Sequence, residues 1–163
     1  MIICNINEFL TKIISNKKTL MCLDIGENKT GVAFSDPSKK FSLASKVIYA
    51  KKNDLIIQIM RILEMYEISG LIVGLPKNDD SSFNKKCQSI KDITKNLDFL
   101  LFDNKINLPI FFWDEGYSSI EAMDKVELIV KKSKNQKKII DKFAAKVILQ
   151  DFLNYINKKN GQI

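Results

Sequence analysis

Ile2, Ile6, Phe9, Leu10, Ile13 and Ile14 fall at helical spacing, which predicts a short amphipathic helix over 2–15. The next apolar run, 19–25 (TLMCLDI), is short and carries Asp24 at its end, one residue before Ile25, so it predicts a buried strand. Gly26 to Gly31 predicts a turn. Segment 30–36 (TGVAFSD) is a second strand stopped by Asp36-Pro37, and 41–49 (FSLASKVIY) a third. Such short connections suit an antiparallel meander.

The period then changes. Residues 54–67 (DLIIQIMRILEMYE) read as a helix, 70–75 (GLIVGL) as an apolar strand stopped by Pro76, and 82–102 as a long helix. A strand over 109–113 (PIFFW) leads to a helix over 118–132, with Ser118 or Ser119 as N-cap and Glu121 in its first turn. After a basic loop, 133–138, the stripe of Ile140, Phe143, Ala144, Val147, Ile148 and Phe152 predicts a final helix over about 139–157. The order βββ-α-β-α-β-α-α makes one α/β domain. Its mixed sheet of five strands, an antiparallel meander plus parallel strands, is flanked by helices. Residues 19–158 form that domain, with 1–18 an N-terminal helical extension and 159–163 a short tail.

Composition narrows the chemistry. The chain has 163 residues and no histidine, which excludes a Ser-His-Asp triad, a histidine base and histidine-ligated zinc. Cys4, Cys22 and Cys87 are scattered and form neither a CxxC pair nor a disulfide framework, as expected of a reduced cytoplasmic protein. No apolar run approaches bilayer length and no signal peptide is legible, so no membrane association is expected. The net charge of +7 is unevenly placed: 1–124 hold sixteen basic and sixteen acidic residues, while 125–163 hold ten lysines against three acids. Charge of one sign gathered in one stretch is the footprint of a polyanion partner. All the basic residues but Arg61 are lysine.

Three acidic positions stand out. Asp24 ends an apolar strand, where an unpartnered carboxylate is costly, and the glycine-bounded turn DIGENKTG follows it. Asp114-Glu115 ends the strand PIFFW, and strand ends are where α/β sheets place ligand chemistry. Asp141 opens a helix that carries Ala144 and Ala145, small enough for close approach to the sheet. Each also has a plain structural use, as a turn cap or a helix-dipole acid. Together they make a hard-oxygen set suited to Mg²⁺ or Mn²⁺, and two such ions about 4 Å apart serve phosphodiester hydrolysis. The lysines just before Asp141 could hold a phosphate backbone or simply be solvated.

Four motifs in order carry a resemblance: LDIGENKTGVAFSD, LIVGLPKN, FFWDE with Ser118, Ser119 and Glu121-Ala122 after it, and KKIIDKFAAKVILQDFL. From about Thr19 to Tyr155 the chain resembles the YqgF/RuvX family, whose fold is ribonuclease H-like. The resemblance implies a metal-dependent nuclease with Asp24, Glu115 and Asp141 as catalytic metal ligands for two Mg²⁺ or Mn²⁺ ions. Asp114 is the neighbouring candidate for the second acid. Lys29 and Asn78 are implied as phosphate contacts; from charge alone, Lys131, Lys132, Lys134, Lys137 and Lys138 are the candidate nucleic-acid-binding lysines.

The family is associated with maturation of the 5′ end of 16S ribosomal RNA, and is also described as a Holliday junction resolvase by similarity to RuvC. Three functions stay open here: a pre-16S rRNA nuclease, a resolvase of four-way DNA, and a non-catalytic RNA-binding factor of ribosome assembly. A nucleotide-binding relative of the actin-like folds is disfavoured, because the chain lacks a second domain to close over a nucleotide. Both monomer and homodimer are compatible with the sequence. Two departures bear on substrate grip: Gly116 stands where the family usually has arginine, and Asp79-Asp80-Ser81-Ser82 where it tends to have glycine.

Overall fold

The computed structural model describes residues 1–15, 17–76, 85–114 and 136–160, with backbone alone for 136–142 and 160. Six strands form one sheet: β1 (Ile2–Ile3), β2 (Thr19–Ile25), β3 (Thr30–Ser35), β4 (Ser42–Ile48), β5 (Ile68–Leu75) and β6 (Ile110–Asp114). The order across the sheet is β1-β6-β5-β2-β3-β4. β2, β3 and β4 pair antiparallel as the short turns require, and β2, β5, β6 and β1 run parallel. Helices α1 (Ile6–Ile14), α2 (Lys52–Met65), α3 (Lys85–Asp103) and α4 (Gln136–Asn160) complete the described chain. The helix expected over 118–132 falls outside the described residues.

Alternation along the strands splits the core in two. Met21, Leu23, Val32, Leu71, Val73 and Ile110 face α2 and α3. Leu20, Cys22, Ala33, Ile72, Phe111 and Trp113 face α1 and α4. β2 and β5 sit centrally, so both of their faces are covered. This is why they read as continuous apolar runs rather than alternating ones.

The N-terminal segment departs from the helix expected over 2–15. Asn5 Oδ1 accepts from the backbone N–H groups of Asn7 at 2.8 Å and Glu8 at 3.3 Å, which starts α1 only at Ile6. Upstream of that cap the chain is extended. Ile2 pairs with Ile110 and Ile3 with Phe111, adding a sixth strand to the five expected. Phe9 of α1 then packs edge-on against Phe152 of α4 at 6.0 Å between ring centroids. The extension is part of the second core.

Candidate active site

Asp24 lies one residue from the carboxyl end of β2, the strand between β5 and β3. Its partner in β3 is Gly31. Leu23 pairs with Val73 of β5, so the next residue there, Gly74, runs alongside Asp24. The carboxylate is thus flanked in the sheet by two glycines. Alternation puts it on the face of Leu20 and Cys22, the face that α4 covers. It is half-buried.

Gly74 sets how close α4 comes. A Cβ there would lie 2.7 Å from Ile148 Cδ1, well inside contact distance. From that crossing α4 continues toward the opposite end of the sheet. Gln150 Oε1 accepts from the Ser42 N–H at 2.8 Å, Gln150 Nε2 donates to the Lys40 carbonyl at 3.0 Å, and Asn157 Nδ2 donates to the Lys39 carbonyl at 3.0 Å. These bonds grip the β3–β4 turn. The amino-terminal turns of α4 therefore project toward the Asp24 end, and Asp141 lies one turn ahead of the fully buried Ala145.

The β3–β4 turn that α4 grips is itself built on Asp36. Its carboxylate accepts from the backbone N–H groups of Ser38 (3.0 Å), Lys40 (2.8 Å) and Phe41 (2.6 Å), and from the Ser38 hydroxyl. Burial acts to raise the Asp36 pKa, but these donors outweigh it and hold the carboxyl below its ordinary value. Burial lowers the Lys39 pKa, partly offset by the charge of Asp36. Lys39 occupies the left-handed region with φ 56°.

The turn after Asp24 is closed by the Gly26 N–H donating to the Lys29 carbonyl at 2.9 Å. A Cβ on Gly26 would lie 2.7 Å from that carbonyl oxygen, so the tight turn requires glycine. Lys29 is half-buried in this turn, at the Asp24 end of the sheet.

Asp114 pairs with Leu75 and is exposed. It alternates with Trp113, whose side chain lies on the α4 face, and so shares register with Phe112 on the α2–α3 face. Asn78, Glu115, Lys131, Lys132 and Lys134 lie outside the described residues. Asp141, Lys137 and Lys138 are in α4 with backbone alone described. Among the described residues no three His, Cys, Asp or Glu side chains gather into a metal cluster; of the three expected ligands, only Asp24 has a described side chain. The close approach of Gly74 to Ile148 and the Gln150 and Asn157 clamps have no local signature in the sequence, because an interior glycine or a helix amide does not announce its partner. Among the described residues no helix is long and apolar enough to cross a membrane.

Residues 18–155 match the family described as "RuvX: Holliday junction resolvase". The chain is 35% identical over 144 residues to the "Putative pre-16S rRNA nuclease" of Halothermothrix orenii, covering 87% of this chain and 99% of that one. It is 38% identical over 135 residues to the protein of the same name from Mycoplasma mobile, covering 81% and 89%. Among solved structures, T. thermophilus RuvC in complex with Holliday junction substrate aligns with a TM-score of 0.56 at 12% identity, over 85% of this chain and 96% of that one. At that identity the likeness is one of fold.

Proposed function

Since the chain belongs to the RuvX family, we propose that it is a metal-dependent endonuclease that trims the 5′ end of pre-16S rRNA. The observation that carries this reading is the setting of Asp24. A carboxylate flanked by Gly31 and Gly74 ends a central strand, on the face crossed by the helix that bears Asp141. The relatives named as pre-16S rRNA nucleases match this chain over nearly their full length, which supports the RNA substrate.

The donor chemistry fits Mg²⁺ or Mn²⁺. The candidate ligands are carboxylates, histidine is absent from the chain, and Cys22 and Cys87 are buried. Asp24, Glu115 and Asp141 would hold two ions. When bound, such ions supply Lewis acidity toward the scissile phosphate and the attacking water. Glu115 is preferred to Asp114 because Asp114 shares the face of Phe112, away from that of Asp24. Lys29 and Asn78 contact the phosphate at the cut. Lys131, Lys132, Lys134, Lys137 and Lys138 precede Asp141 in the chain and draw the RNA backbone to it.

A second reading, resolution of four-way DNA, is favoured by the family's description and the RuvC-like fold. One assay separates the two. A 5′-extended 16S precursor and a synthetic four-way junction are incubated with Mg²⁺ or Mn²⁺ and either wild type or Asp24→Asn. Precursor RNA cut by wild type and left whole by Asp24→Asn supports the rRNA nuclease. Paired cuts confined to the junction replace it with the resolvase. RNA bound but uncut points to an assembly factor, with Gly116, where the family usually has arginine, as the first position to restore.

A further inference from the structure

Tyr49 directly follows Ile48 of β4, which pairs with Thr30 of β3, which in turn pairs with Ile25 of β2. It therefore leaves the sheet at the same end as Asp24, two strand spacings or about 10 Å away. Beside it the start of α2 opens a cavity of about 310 Å³ lined by Tyr49, Ala50, Asp54, Ile57, Gln58 and Arg61. Asp54 also borders a neighbouring cleft of about 550 Å³, whose walls include Asn28 of the β2–β3 turn together with Lys51 and Lys52. The two hollows share Asp54 as a wall, one lying toward the turn after Asp24 and the other toward Tyr49.

Apart from the Glu27 carboxylate, which also lines the cleft, the side chains around these hollows are those that recognise a nucleotide. Tyr49 is 66% exposed, so its ring offers a stacking surface beside the apolar Ala50 and Ile57. Gln58 supplies both donors and acceptors, and the Asp54 carboxylate accepts from a base N–H. Arg61, the single arginine of the chain, presents a planar cation for stacking or for phosphate. Lys51 and Lys52 lie where the backbone would pass. A base held in a duplex has its faces stacked and its pairing edge occupied, so only an unpaired base can use such a cavity.

We propose that the cavity between Tyr49 and Arg61 takes one unpaired nucleotide of the RNA and so places single-stranded RNA flanking the cut. The proposal rests on the rRNA reading for the identity of the polymer, but not for its cleavage. It is tested with the full chain in EDTA, so that the RNA stays intact. The probes are a short single strand from the precursor leader carrying 2-aminopurine, and the same sequence as a duplex.

Stacking on Tyr49 quenches the single-strand fluorescence. Tyr49→Ala weakens single-strand binding by about 5- to 150-fold, the range for loss of one base–aromatic stack. Tyr49→Phe retains binding, Arg61→Gln weakens it, and duplex affinity stays as in the parent. Unchanged melting temperatures for these exposed positions exclude misfolding. Equal single-strand affinity for the parent and Tyr49→Ala, or equal losses on single strand and duplex, would overturn the proposal. With Mg²⁺ restored, Tyr49-dependent binding without any cleavage would sink the nuclease reading and leave this site standing. Cleavage by a protein whose RNA binding ignores Tyr49 would do the reverse.

Discussion

The Trp113 indole donates its Nε1–H to Asp151 Oδ2 at 2.9 Å, inside the core between β6 and α4. Trp113 is 3% exposed and Asp151 8%, so this bond ties the strand bearing Asp114 to the helix bearing Asp141. Trp113→Phe keeps an aromatic ring there, at the cost of a small gap, and leaves the carboxylate without this donor. It is expected to cost about 1–3 kcal/mol in urea denaturation. Adding Asp151→Leu to that variant should recover part of the loss, since an apolar pair leaves no unmet charge. A Trp113→Phe protein as stable as the parent would show that the bond is not needed.

Gly74 and Ile148 set the spacing between sheet and helix. Gly74→Ala should destabilise by about 1–3 kcal/mol, because the new methyl overlaps the Ile148 terminus. Ile148→Val removes the overlapping atom, so the double variant should be more stable than the sum of the single changes predicts. Additive losses in a double-mutant cycle would disprove the contact.

The depressed pKa of Asp36 makes the β3–β4 turn sensitive to acid. A carboxyl with a folded pKa below its unfolded value contributes fully above the ordinary carboxylate range. That contribution is lost as pH falls through the folded value. The stability gap between wild type and Asp36→Asn should therefore be constant near neutral pH and close as pH drops below about 4. A gap that stays constant into acid would contradict the assignment. The α4 clamps hold this turn, so the same acid loosening should speed proteolysis at Lys39 and Lys40.

Lys105 closes α3 with φ 58°. The Ile106 N–H donates to the Leu101 carbonyl at 2.8 Å and the Lys105 N–H to that of Phe102 at 3.0 Å, the paired bonds of a Schellman cap. Glycine is the usual residue at that position. Lys105→Gly should stabilise by about 0.5–1 kcal/mol, read as a rise in melting temperature. An unchanged or lowered temperature would mean that the lysine contributes more than its backbone costs.

Chelation tests the donor set without the assay of cleavage. Mg²⁺ or Mn²⁺ should raise the melting temperature in proportion to the logarithm of its concentration, EDTA should reverse this, and Asp24→Asn should remove it. Identical shifts in Asp24→Asn would place the ions elsewhere.

Periodicity alone fixes most of the architecture. The runs 19–25, 30–36 and 70–75 are legible as strands because a central strand is buried on both faces, and the short turns dictate the meander. Asp24 is legible too, since a carboxylate at the end of such a run needs a reason. The beginning of the chain was not. Ile2 and Ile6 continue a helical spacing, and only the Asn5 cap and the vacant edge of β6 turn Ile2–Ile3 into a strand. An open edge is made by distant residues and has no local signature.

The setting of the site likewise belongs to tertiary structure. A short turn already joins Asp24 to Gly31, but Gly74 lies far along the chain, and only sheet register brings it beside Asp24. As a string, Asp114-Glu115 does not say which way Asp114 points; the pleat of β6 sends it to the face of Phe112, opposite that of Asp24. Tyr49 and Arg61 carry no motif. They share a cavity only because β4 ends beside the start of α2. Local pattern determines which elements form, since it depends on neighbouring residues alone. Which residues meet depends on register and on helix approach, and these are set by contacts between segments tens of residues apart.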